Sequence, residues 1–168
     1  MRRSLWILLL AIGLGPVLWD GAWARTWRVE KDGSGDYTVI QEAVDAAAAG
    51  DTVLVGPGRY EDFRQMIGSD VLWIIFQIQK SDITVIGAHR DSVILGPETP
   101  LEHPTQVYDA VRLEPGSGLH IQNLTIVNTS AAFNCLGALE LSNLIVAGHD
   151  YGIFDSSDQD LIITDSEF

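Results

Sequence analysis

The sequence has little cysteine, little positive charge and no apolar run long enough to cross a bilayer. Cys135 is the only cysteine among 168 residues, so no intrachain disulfide can staple the fold and stability has to come from packing. Ten Lys and Arg stand against 23 Asp and Glu, a net charge of -13. That sign argues against nucleic acid and against anionic membrane surfaces as partners. The one sustained apolar stretch, Leu5 to Leu18, is about 14 residues where roughly 20 would be needed to span.

What precedes and follows that stretch gives it another meaning. Arg2 and Arg3 stand before it and Ala22-Trp23-Ala24 after it, the three regions of a secretory signal peptide. Residues 1–24 are therefore expected to be removed, leaving 25–168 as one domain of 144 residues. Without Arg2, Arg3 and Asp20, 8 basic and 22 acidic residues remain, a net charge near -14. The expected location is secreted or periplasmic, with no membrane association after removal.

Nucleotide-binding motifs are missing as well. KDGSGDYTVIQEAVDAAAAGD, Lys31 to Asp51, places Gly33 and Gly35 before a helical pattern. Thr38 stands where a dinucleotide fingerprint needs its third glycine, no Gly-Lys-Ser/Thr follows, and Asp36 puts negative charge where a phosphate would sit. The helix is instead expected to cover something apolar. Ile40, Ala43, Val44 and Ala47 fall on one face, Thr38 and Gln41 have capping-box spacing, and Gly50 can end the helix left-handed.

The far end of the chain repeats. LHIQNLTI (Leu119 to Ile126), LELSNLIV (Leu139 to Val146) and LIITDSEF (Leu161 to Phe168) lie 20 and 22 residues apart, with Asn123, Asn143 and Asp165 in register. Each reads as strand, bend, strand. ITVIGAHRDSVIL, Ile83 to Leu95, fits the same pattern 36 residues upstream, with Gly87 at the bend and a proline-bearing insertion around residues 96–108. A third strand per repeat is expected at Val111 to Leu113, around Ala131 to Phe133, and at Tyr151 to Phe154. Three strands per repeat predict an all-β solenoid, a parallel β-helix, with the Asn residues stacked as a ladder and the helix laid over its N-terminal end.

RVEKDGSGDYTVIQEAVDAAAAGDTVLVGPGRYED, within Trp27 to Asp62, resembles the N-terminal cap and first turn of the pectin lyase-like superfamily of right-handed parallel β-helix proteins, and is similar above all to its pectinesterases. The resemblance implies an exported protein that binds or processes extracellular polysaccharide of polyuronide or pectin type; the alternative is a noncatalytic β-helix binding or scaffold module. Because LIITDSEF stops inside a repeat without a closing cap, the chain is expected to be the N-terminal part of a longer protein.

The pectinesterase pattern transfers only in fragments. Its first aspartate lies in Gly-Tyr-Gln-Asp-Thr-Leu-Tyr, of which Gly148-His149-Asp150-Tyr151-Gly152 keeps the glycine and the aspartate; its second aspartate and its arginine have no counterpart before Phe168. The candidate site residues are thus Asp150, Asp155 and Arg112, with Arg112 expected to point outward between inward Val111 and Leu113, on the face where this superfamily builds its groove. No organic-cofactor motif is present; a lyase or epimerase reading implies Ca²⁺, which neutralises uronate and acidifies the abstracted proton. His89, His103, His120 and His149 show no metal-ligand spacing. VLWIIFQIQ, with Trp73, Phe76 and Ile78, reads as a core strand with one aromatic left outside.

Overall fold

The structure, a computed structural model, describes residues 23–66, 68–69, 71–101 and 105–168. All but the last two residues of the expected signal peptide, and His103, lie outside the described residues. Among those described, no helix is long and apolar enough to cross a membrane.

The chain is all-β apart from one short helix. After β1 (Thr26–Val29) and α1 (Ile40–Ala46), the strands are β2 (Thr52–Val55), β3 (Gly58–Tyr60), β4 (Arg64–Gln65), β5 (Leu72–Ile78), β6 (Ile83–Gly87), β7 (Val93–Leu95), β8 (Val107–Leu113), β9 (Gly118–Gln122), β10 (Thr125–Val127), β11 (Ala131–Cys135), β12 (Ala138–Ser142), β13 (Ile145–Ala147), β14 (Tyr151–Asp155) and β15 (Leu161–Thr164). They form three sheets. Sheet A runs β1-β2-β6-β9-β12-β15, sheet B runs β3-β7-β10-β13, and sheet C runs β4-β5-β8-β11-β14. All pairings are parallel except β4 with β5. From β6 onward the chain visits A, B and C in turn, so each strand pairs with the one a full repeat away.

The register is the one expected from the octets. Leu119 pairs with Leu139 and Leu139 with Leu161, and Ile83 pairs with Leu119 across the proline-bearing insertion. Period-two alternation explains why: Leu119, Ile121, Leu139 and Leu141 are buried and His120 and Glu140 are not, so a one-residue slip would turn each strand inside out. Buried residues of all three sheets join α1 in one core.

The bends use asparagine for its backbone. Asn123, Asn143 and Asp165 have φ of 59, 51 and 49°, a left-handed conformation that Asn and Asp tolerate better than other side chains. Asn143 Nδ2 donates to Asn123 Oδ1 at 2.8 Å, one rung of the expected ladder. Asp165 keeps the backbone shape, but its carboxylate accepts no hydrogen bond among the described residues. Gly87 occupies the equivalent bend upstream, where a Cβ would collide with the carbonyl oxygen of Asn123.

The helix buries its expected stripe but is not held as expected. Ile40, Ala43, Val44 and Ala47 are at most 3 % exposed, packed against β1, β2 and β5. The capping box does not form: Val39 is the N-cap, with no side-chain hydrogen bond. Gln41 is used elsewhere. Its Oε1 accepts the Gln77 N–H at 2.6 Å, while its Nε2 donates to the Gln77 carbonyl at 3.3 Å and to Asp45 at 2.6 Å. It thus partners backbone groups of β5 as a neighbouring strand would. Gly50 is left-handed (φ 87°) but lies beyond the helix, which ends at Ala46 with an extended Ala47. The last carbonyls are met by Lys80, whose Nζ donates to those of Val44, Asp45 and Ala47 at 3.3, 2.7 and 2.5 Å; a cation there also suits the helix dipole.

Candidate functional site

Sheet C carries the most chemically varied surface, because its strands break alternation in their middle. Ile75, Ala110 and Ala132 are buried beside buried Phe76, Val111 and Phe133, and these three drop out of the pairing between neighbours. Two consecutive inward residues place positions three apart on the same outer face. Two rows facing away from the core result: Ile74, Asp109, Ala131, Tyr151, and Gln77, Arg112, Asn134, Phe154; Ile74, Asp109, Ala131 and Gln77 are covered, Arg112 and Asn134 are half-buried, and only Tyr151 and Phe154 are exposed. Contacts between the rows agree with this direction. Asn134 Nδ2 donates to Asp109 Oδ2 at 2.9 Å, and the Tyr151 and Phe154 rings meet edge-on at 6.2 Å.

Arg112 points outward between buried Val111 and Leu113, as its strand position implies. Its Nε donates to Glu114 Oε1 at 2.9 Å, and the same oxygen accepts from Gln77 Nε2 at 2.6 Å. The guanidinium charge is thus paired, with both partners largely covered. Asp109 is the residue that sequence reasoning missed. It is 1 % exposed, and burial pushes its carboxyl above the ordinary carboxylate range, although hydrogen bonds from Asn134 and the Ala131 N–H and the charge of Arg112 pull the other way. Strict alternation along VYDAVRL sets Asp109 on the core side with Val111. The only signal in the sequence was that an aspartate cannot stay there unpaired.

The other two candidates lie apart from this cluster. Asp150 is exposed and borders a small cleft with Tyr108, Asn128, Thr129 and Ser130. It stands two strands over and four residues back from Arg112, on the order of 15 Å between Cα atoms at standard strand rise and spacing. Asp155 pairs with Cys135, which pairs with Leu113, so it occupies a column that is core in the preceding strands. Its Oδ1 accepts the Ser157 N–H at 2.8 Å, and hydrogen bonds to Ser157 hold its pKa down. The three residues therefore do not converge on one bond of a substrate.

The remaining polar candidates are structural or solvent-facing. His149 lies within hydrogen-bond distance of Thr129 Oγ1, the Thr129 carbonyl and the Ile126 carbonyl at 2.9, 3.1 and 3.1 Å, binding adjacent repeats together. His89 is exposed beside Asp91. His120 points outward on sheet A, with Nε2 buried and without a partner. Trp73 is half-buried and stacked on Tyr108 at 6.3 Å, while Phe63 meets Tyr108 edge-on at 5.3 Å. A concavity of about 470 Å³ lies on sheet A around His120 and Glu140, and the carboxylates along it (Asp82, Glu140 and Asp160) are all exposed. No group of three or more His, Cys, Asp or Glu among the described residues is arranged to hold a metal ion.

No family model matches the chain, and no curated protein matches it at a significant level.

Proposed function

We propose that this is an exported pectin lyase-like protein, a right-handed parallel β-helix, that binds extracellular polysaccharide along the outer face of sheet C. The winding is supported by the repeated A, B, C order of parallel strands, and the right hand by the strong preference of parallel crossovers for it. Export rests on the signal-peptide pattern of residues 1–24.

The observation that carries the binding function is the pair of outward rows. Planar polar groups, Arg112 and Asn134, stand in line beside an exposed aromatic pair, Tyr151 at 61 % and Phe154 at 50 % exposure. Sugar rings offer hydroxyls on their rims and C–H faces above and below. Amide and guanidinium groups serve the former and aromatic rings the latter. Binding without turnover is favoured over processing, because Asp150, Asp155 and Arg112 are separated and the carboxylate nearest Arg112 is engaged by it. Pectin and other polyuronides are the class implied by the resemblance, with Ca²⁺ as the cofactor such chemistry would use.

Affinity electrophoresis of the purified protein through gels containing pectin, polygalacturonate, alginate, xylan or galactan tests the reading. Retardation by at least one polymer, lost in Tyr151→Ala/Phe154→Ala and kept in Asp150→Asn, is expected. Migration unchanged in every gel would end the proposal. Release of methanol, unsaturated ends or reducing ends from the same polymers, abolished by Asp150→Asn, would replace binding by catalysis.

A further inference from the structure

Resting on that reading, we infer that the ligand of the sheet C face is a neutral polysaccharide rather than a polyuronide. The inference comes from how charge is arranged there. A polyuronide presents a carboxylate on every residue, so a face built for it needs unpaired cations in a row. The only cation within the two rows is Arg112, and Glu114 takes it at 2.9 Å while also accepting from Gln77. Asp109 lies one row over, bonded to Asn134. The centre of the face therefore carries an internally balanced pair with a further carboxyl beside it.

The margins do not change this balance. Arg64 pairs with Ile74 at the edge of the sheet, beyond Asp109 from the aromatic pair, and is a single charge instead of a row. Lys80 is spent on the end of α1. A cation bridge between protein and uronate would need free carboxylates. Glu114 is paired, both oxygens of Asp109 accept hydrogen bonds, Asp150 and Asp155 are exposed but stand singly before and at the end of β14, and the described residues offer no cluster of ligands. What remains available is hydrogen bonding from Asn134 and from the outer nitrogens of Arg112, and the two aromatic faces. These recognise hydroxyls and C–H surfaces irrespective of charge. The overall negative charge of the chain adds long-range repulsion toward an anionic polymer.

Titration calorimetry with neutral oligosaccharides from xylan, galactan and mixed-linkage glucan, against oligogalacturonate and oligoalginate of equal length, separates the cases. At least one neutral oligomer should bind about tenfold or more tightly than either uronate, with little change on adding salt. Glu114→Gln frees the guanidinium and should narrow that ratio by raising uronate affinity. Uronate binding by the wild-type protein that equals or exceeds neutral binding would overturn the inference and leave the polysaccharide reading intact. Binding of none of the oligomers would overturn both.

Discussion

Replacing Gln41 by Leu should cost far more stability than its place on a seven-residue helix suggests. Gln41 is 4 % exposed and faces the backbone of Gln77, a residue 9 % exposed. Its oxygen takes one β5 N–H at 2.6 Å and its nitrogen reaches the carbonyl of the same residue at 3.3 Å. Leucine fills the volume but leaves both groups without a partner. A buried unsatisfied backbone group costs about 1–3 kcal/mol; the longer carbonyl bond counts at the low end, so the loss should be about 2–4 kcal/mol. Thr38→Ala is the matched control, because Thr38 occupies the capping-box position but caps nothing, and it should change stability by less than about 0.5 kcal/mol. Urea unfolding followed by far-ultraviolet circular dichroism measures both, with an unchanged m value marking a pure stability effect. Gln41→Leu within about 0.5 kcal/mol of wild type, or Thr38→Ala as damaging as Gln41→Leu, would refute the assignment of Gln41 as a surrogate strand partner.

Two other outcomes follow from single residues. Asn143→Ala loses the rung to Asn123 and strains a left-handed backbone, and should cost about 2 kcal/mol, whereas Asn143→Gly keeps the backbone shape and should cost less; urea unfolding ranks the two. The hydroxyl of Tyr60 is fully buried, 3.0 Å from the Gly56 carbonyl, and burial followed by nearby Glu30 pushes its pKa from 10.0 up to about 12. The folded state therefore holds this proton more tightly than the unfolded state does. The associated stability is present below pH 10 and is lost as pH rises from 10 to about 12; unfolding curves across that window should be flatter for Tyr60→Phe than for the wild-type protein.

Much of this architecture was legible in the sequence because it depends on periodicity. Two-residue alternation tells which side of a strand is apolar, and equal spacing of octets sets the register between repeats, since any slip would expose the core. Both rules held along sheet A from Ile83 to Leu161; in sheet C the alternation breaks at Ile75, Ala110 and Ala132. The apolar stripe of the helix was legible for the same reason, as a period of 3.6 is local information.

What the tertiary structure alone decided concerns polar groups whose partners are distant in the chain. Gln41 reads as half of a capping box by spacing, yet it bonds 36 residues away to Gln77, since a strand edge that must be buried needs its N–H satisfied more than a solvated helix end does. Asp109 reads as facing the core, yet a break in alternation at Ala110 turns it outward to Asn134, 25 residues on. Asp150, Asp155 and Arg112 are candidate site residues by sequence, but strand rise and sheet spacing keep them apart. A hydrophobic pattern constrains direction in or out; only the folded backbone sets which polar atoms come within 3 Å of each other, because that distance depends on bends and sheet contacts that no local period encodes.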